Sequence, residues 1–586
     1  MNKRKYKKGE KDFMKTKITK TNGITLIALV ITIIVLLILA GVTIAILTGD
    51  NGILNKATEA SEKTKIAEEE EKVKLSATGA LAKENGEGIS QDSLEEELGK
   101  YFDSTDFNVE AGTSETGEEG HIVTITENNS EGNKYFVSKD GIVGEYTVRE
   151  PAEPTEGVGE NFDMSNGVIE VKFLEGTSYN TTDTPNHPVS KEGMTAITYN
   201  ESTGETTNVS DSNGTDWYSY VENKDDDMTD GGTTDGGDSH WANAEVITTV
   251  DDEEIKSYFV WIPRYAYRII YFDSADSANE YRAGTLTEEQ ALAENKIEGY
   301  SDARGIVDTE GKTKEGVSVQ TAIPVDNKYF KTHPVFDGDV NYGGWAEDDG
   351  TPVKLQGIWV AKYEASSVEG NSNSSSGDNV TTKHVKIQPG VSSWRYITIG
   401  NVFTVAKNYN QTLSSHLMKN SEWGAVAYLT ESKYGRNGTE VTINNNGSTY
   451  YTGGGSGITY INNTNQSSTG NIYGIYDLSG NAYEYVAGYY GMSSNLINGS
   501  SFAKGTSDAY STAYNGTTES SNYIYGDTTY ETHRWNSDGA SFVDSNLPFF
   551  VRGGYLYDGT SAGVFYFYYY DGSNSGSNGF RVCLTV

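Results

Sequence analysis

Cysteine is almost missing from this chain of 586 residues, with Cys583 the only one. That excludes a disulfide within the chain and any metal or redox site assembled from several cysteines. Positive charge is scarce as well. Lys and Arg total 45 against 83 Asp and Glu, a formal net charge of -38. A phosphate backbone would be repelled and no basic stripe stands outside the N-terminus, so nucleic acid is not expected as a partner. Two signatures of common catalytic sites are missing too: there is no HExxH and no phosphate-binding glycine loop. Asp, Glu and the 7 His residues are dispersed without an evident acid–base pair. The GGGSG run at residues 453–457 lies among Tyr and Asn and reads as a turn.

What is present begins with one long apolar run. A Lys-rich opening precedes residues 24–47, which carry no charge. As a helix this run would span roughly 36 Å, enough to cross a hydrocarbon core of about 30 Å. The basic flank puts the leader in the cytoplasm and everything after Thr48 outside, on the cell surface. The junction Asn22-Gly23 followed by ITLIALVITIIVLLILAGVTI resembles the leader of type IV prepilins. That resemblance implies cleavage by a prepilin peptidase after Gly23, with Ile24 as the first residue of the mature chain. Ala28 departs from the family, in which most members carry Glu at this place. Contact with pilin subunits, a minor pilin and a monomer held in the membrane therefore all stay open.

Residues 50–84 continue as a helix rich in Ala, Glu and Lys, with apolar positions at Ile53, Leu54, Ala57, Ala60 and Ile66. Residues 85–146 read as a small α/β head: a short helix at SLEEELGKYF, strands at HIVTIT and KYFVSKDGIVGEY, and a tight turn at Asp140-Gly141. The Pro, Glu and Gly of residues 147–160 make a linker. Residues 161–244 form a β-rich extension, with strands at VIEVKFLEG and MTAITYN. Residues 225–238, DDDMTDGGTTDGGD, offer clustered oxygens but lack the Glu that completes a helix-loop-helix calcium site, and read as a solvated loop.

Residues 245–586 carry a second resemblance, spread over an ordered set of segments. YFVWIPRYAYRI and GIWVAKYEAS read as strands, and SHLMKNSEWGAVAYLTESKYG as a helix capped by Asn420 or Ser421, with Trp423, Val426 and Ala427 on an apolar face. NIYGIYDLSGNAYEYVAG follows, and then the stretch from RGG to GFR, residues 552–581. In this order they resemble the formylglycine-generating-enzyme type of C-type lectin fold. The fold class this implies is α+β, a long N-terminal pilin-like helix with a small β head followed by a C-type lectin domain. Oxidising members of that family use cysteines to hold copper. Cys583, in the closing strand FRVCLTV, reads as a small packed residue instead, so no enzymatic reaction and no required cofactor are expected. The resemblance does place Asn481 and Glu484 near a structural Ca²⁺ site.

The last stretch resembles a different branch, the variable proteins of diversity-generating retroelements. Gly553, Gly554, Gly559, Gly563 and Gly579 supply turns or close backbone approach, and Tyr, Asp, Ser and Asn fill the space between them. GVFYFYYY alternates as a strand, with Phe565 and Phe567 on one face and Tyr566, Tyr568 and Tyr570 on the other. In such systems codons are rewritten at adenines, and an AAC or AAT codon randomised in this way never yields Lys, Glu, Gln, Met or Trp. Residues 553–580 contain none of these five, whereas residues 500–544 contain Lys504, Glu519, Glu531 and Trp535.

The contact residues implied are Tyr555, Tyr557, Asp558, Ser561, Tyr566, Tyr568, Tyr569, Tyr570, Asp571, Ser573, Asn574, Ser575, Ser577 and Asn578. Tyr brings rigid area with a polar tip, while Ser and Asn adapt their hydrogen bonds, as in antibody loops. The expected partner is a protein or glycan on another cell, phage or host surface. Two alternatives remain at this point: an adhesin or minor pilin of fixed specificity, and a metal-dependent enzyme or carbohydrate-binding lectin of related architecture.

Overall fold

The computed structural model describes residues 65, 69, 71–84, 88–113, 119–126, 133–139, 143–145, 164–210, 217–222, 239–302, 305–309, 329–347, 350–446, 449–457, 459–516, 518–519 and 522–586. Gly23 and Ile24, the apolar run at 24–47, the Asp140-Gly141 turn, the linker and the Asp-rich loop at 225–238 lie outside them. The chain divides into two compact units, Met1–Thr155 and Glu156–Val586.

In the first unit, a helical stretch at residues 71–83 and the helix Gln91–Leu98 pack on a four-stranded antiparallel meander. Its strands are Phe107–Thr113, Glu119–Ile125, Asn133–Ser138 and Val143–Glu145, paired in chain order. Val73, Ala77 and Ala80 recur at helical spacing and meet Leu94, Leu98, Val123, Ile125, Tyr135 and Val137 in one small core. Ser90 caps the second helix by accepting from the Ser93 N–H at 3.3 Å.

The second unit is built from sheets. A seven-stranded sheet runs in the order His416–Leu417, Val582–Leu584, Gly357–Ala361, Glu253–Pro263, Asn243–Val250, Met194–Tyr199, Thr206–Asn208. A six-stranded sheet contains Gly167–Leu174 and Tyr265–Phe272, paired antiparallel. YFVWIPRYAYRI is therefore not one strand, because the chain changes sheets at Arg264. That guanidinium is buried and donates to Asp337 Oδ1 at 3.0 Å. Residues 161–244 are likewise no separate extension: Met194–Tyr199 pairs with Asn243–Val250, and Gly167–Leu174 with Tyr265–Phe272. Their apolar residues join cores built with segments that come later in the chain.

The helix Asn420–Glu431 is buried on every side, not along one face. Tyr265 Oη donates to the Ala425 carbonyl at 2.7 Å and Trp423 Nε1 to the Val564 carbonyl at 2.7 Å. Its cap also differs from expectation. Lys419 precedes the first turn, and the Glu422 carboxylate accepts the Lys419 backbone N–H at 2.9 Å, so neither Asn420 nor Ser421 is needed there.

These elements overturn the expected class. The described residues are mostly β-sheet with a few short helices, and no long N-terminal helix stands among them. Among the described residues no helix is long and apolar enough to cross a membrane. The physical reason lies in composition: 41 Tyr and 65 Gly favour pleated, half-buried surfaces joined by tight turns over long helices.

Candidate functional site

The central strand of the third large sheet is Tyr483–Tyr490. It pairs antiparallel with Phe549–Arg552 and parallel with Asn578–Phe580. The C-terminal stretch thus leaves this strand and returns to it. Beyond the return, Val582–Leu584 joins both Gly357–Ala361 and His416–Leu417. Two sheets therefore hold the ends of one loop-rich segment.

Arg552 and Arg581, the two arginines that bracket the segment, are fully buried. Arg581 grips Glu484 with both arms, Nε to Oε2 at 2.9 Å and Nη2 to Oε1 at 2.6 Å, and also donates to the carbonyls of Ala361 and Tyr476. Burial pushes the Glu484 carboxyl up to about 7, with Arg581 pulling the other way. Glu364 accepts from Asn481 Nδ2 and the Ala482 N–H, each at 3.0 Å. Its carboxyl is raised by burial and by the neighbouring Glu484 and Asp477. Asp477 accepts from the Gly453 N–H and from Asn444 Nδ2 at 2.8 Å.

At the expected calcium position, Asn481 Oδ1 is buried without a hydrogen-bond partner. Ca²⁺ gathers six to eight oxygens; here both Glu484 oxygens face the Arg581 guanidinium, and Asn481 Nδ2 donates to Glu364. A second group, His416, Glu422 and Cys583, brings three ligand atoms within 4.8 Å of one another and is wholly buried. His416 Nε2 and Glu422 Oε1 are already joined at 2.8 Å, while His416 Nδ1 faces the Ser414 carbonyl at 2.7 Å. Burial pushes the Cys583 thiol well up, as befits a packed residue.

Gly553 and Gly554 open the segment with φ of 81° and 68°, the left-handed region where a side chain strains the backbone. A Cβ on Gly554 would come within 2.7 Å of Ala562. Of the fourteen expected contact residues, Tyr557 and Ser561 are exposed and ten more are half-buried: Tyr555, Asp558, Tyr568, Tyr569, Tyr570, Asp571, Ser573, Asn574, Ser575 and Ser577. Tyr566 and Asn578 are buried, Asn578 being part of the returning strand.

The expected strand GVFYFYYY is only half formed. Residues 563–566 turn, with the Tyr566 N–H donating to the Gly563 carbonyl at 3.1 Å, because the buried Asp538 carboxylate takes the Phe565 N–H at 2.9 Å. The strand is Phe567–Tyr570, at the sheet edge beside Phe549–Arg552. Within it, Tyr568 and Tyr570 lean on one core and Phe567 and Tyr569 on the other. Tyr566 drops out of the alternation, only 4 % exposed, and packs over Gly539.

The rings nevertheless form one connected row. Tyr557 meets Tyr555 at 5.7 Å, Tyr555 meets Tyr483 at 4.7 Å, and Tyr483 meets Tyr566 at 5.7 Å. Tyr566 then meets Tyr568 at 6.3 Å, and Tyr568 meets Tyr569 at 4.4 Å. Tyr483 is the hub: its hydroxyl donates to Asp558 Oδ1 at 3.2 Å and lies 3.4 Å from the Tyr566 hydroxyl. Asp558 Oδ2 accepts the Tyr555 N–H at 3.1 Å.

At the other end, Asp571 Oδ1 accepts the Ser573 N–H, and the Ser575 and Ser577 hydroxyls lie 2.8 Å apart. The Ser575 carbonyl accepts from the Tyr396 N–H at 2.8 Å. The Arg395 guanidinium lies 3.7 Å over the Tyr450 ring and donates to the Gly576 carbonyl. Sequence reasoning missed Tyr483, Tyr396, Tyr450 and Arg395. Strand alternation around Glu484 pointed to the first, since a buried Glu484 puts Tyr483 on the opposite face.

A cleft of about 890 Å³ lies elsewhere in this unit and is lined by none of the fourteen residues. Its Arg268 is bound to Glu170 at 2.5 Å and to Glu288 at 2.7 Å. The chain matches no protein-family model and no curated protein.

Proposed function

We propose that this chain is a binding protein, displayed outside the cell by its apolar segment at residues 24–47, whose contact face is the Tyr, Asp, Ser and Asn set of residues 555–578. On this reading the face is exchangeable, as in the variable proteins of diversity-generating retroelements, and the chain carries out no reaction. The observation that carries the proposal is the separation within one short stretch. Phe565, Phe567, Phe580 and Arg581 are fully buried, while twelve of the fourteen named residues keep part of their surface exposed. Side chains so placed are free to change without opening the core, because surface substitutions away from caps and buried networks shift stability by only about 0.5 kcal/mol.

The test is genetic and direct. Sequencing the 3′ end of the gene across many cells of one culture is expected to show substitutions confined to template adenines in the codons of residues 555–578, with a near-identical template repeat and a reverse-transcriptase gene beside it. An invariant segment with neither neighbour would leave a fixed adhesin and overturn the exchangeable face.

A further inference from the structure

The phenolic row ends in a corner that is chemically one-sided. Tyr555 and Tyr557 stand at 80° to each other with centroids 5.7 Å apart, and Tyr557 is 63 % exposed. Asp558 closes the corner, its carboxylate held in place by the Tyr483 hydroxyl and the Tyr555 N–H. Both of these donors are neutral. Residues 553–580 contain no Lys, Arg or His, and the whole chain is strongly acidic.

Ring faces are electron-rich and attract cations, most strongly where a carboxylate stands beside them. The molecule already uses the same pairing where it has cations of its own. Arg395 lies 3.7 Å over Tyr450, Lys354 lies 4.0 Å over Tyr179 and Lys407 lies 4.1 Å over Tyr510. The corner at Tyr555, Tyr557 and Asp558 offers the same ring faces, here beside a carboxylate.

We propose that this corner receives a Lys or Arg side chain from the surface of a partner protein, with Tyr483, which lies outside the exchangeable stretch, as its permanent floor. The inference rests on the binding-face reading above and adds the charge of the partner. Tyr483 fixes Asp558 through its hydroxyl and lies against Tyr555 and Tyr566, so the floor persists while its neighbours change. The acidic field of the chain steers basic surfaces toward it, and the corner gives them a seat.

The experiment selects a random peptide library against the full chain and measures the affinity of the winners for variants that retain the wild-type melting profile. Binders enriched in Lys and Arg are expected. They should weaken by about tenfold with Asp558→Asn or Tyr557→Ala and by less than about twofold with Glu192→Gln, an exposed carboxylate removed elsewhere. Equal weakening by Asp558→Asn and Glu192→Gln would mean attraction by net charge alone and would overturn the inference. Binders lost on Tyr557→Ala and Tyr568→Ala, yet without basic enrichment or indifferent to Asp558→Asn, would also overturn it while leaving the binding face intact. Binders indifferent to every tyrosine change would remove the face itself.

Discussion

Residues 549–552 and 579–584 have almost none of their surface exposed, and between them Tyr555, Tyr568 and Asn574 keep part of theirs. The frame and the face are neighbours in sequence but obey opposite rules. In the frame, buried polar groups find partners inside the protein: Arg581 has Glu484 and two carbonyls, and Trp423 has the Val564 carbonyl. An unpaired polar group buried there costs the full loss of its hydration. On the face, a hydroxyl or amide that loses its partner turns to water, so the residue is replaceable. A single strand, Tyr483–Tyr490, serves both regions, with Glu484 pointing into the frame and Tyr483 onto the face.

The sharpest way to break this contrast is Arg581→Ala. It leaves Glu484 buried without its guanidinium, and a loss of about 3–5 kcal/mol, or no folded chain at all, is expected in urea titration. Loss of under about 1 kcal/mol would show that the frame does not depend on that pair.

Next comes a paired substitution within one strand. Phe567→Ala, emptying a fully buried site, is expected to cost about 3–4 kcal/mol. Tyr568→Ala, one residue along and half-buried, is expected to cost about 1 kcal/mol. Equal losses by thermal melting would erase the division between frame and face.

The pH dependence gives a third measure. Glu431 is buried in the frame, and burial pushes its carboxyl up from 4.5 to about 7, with Arg282 at 3.6 Å opposing. A raised carboxyl binds its proton more tightly when folded, so its contribution is complete below the unfolded value and is lost as pH rises through about 7. Wild type is therefore expected to lose about 3 kcal/mol relative to Glu431→Gln between about pH 4 and about pH 8. Parallel stability curves would contradict this. The smallest effect belongs to the face: Asn574→Tyr should leave the melting temperature within about 2 °C, equivalent to about 0.5 kcal/mol or less.

Much of the candidate site was legible in the sequence because its signals are local. Gly553-Gly554, the run of tyrosines and the GFR return mark a turn, an edge strand and a closing strand, and these depend on nearby residues. The strand Phe567–Tyr570 came out shorter than its alternation suggested because Asp538, distant in sequence, captures the Phe565 N–H and turns the chain there. Tyr566 was misplaced for the same reason. The setting of Glu484 was not legible because Arg581, ninety-seven positions on, holds that carboxylate. The α+β class failed because the described chain is dominated by strands whose partners lie far along the sequence.

Sequence alone determined the shortage of cations, the lone cysteine and the composition of residues 553–580, since these are properties of residues and not of their neighbours. Tertiary structure decided which tyrosines face outward, that Tyr483 joins them, and that Glu484 answers to Arg581. Those outcomes depend on which strands lie side by side, and long-range pairing is set by the joint burial of many apolar faces, which no single segment encodes.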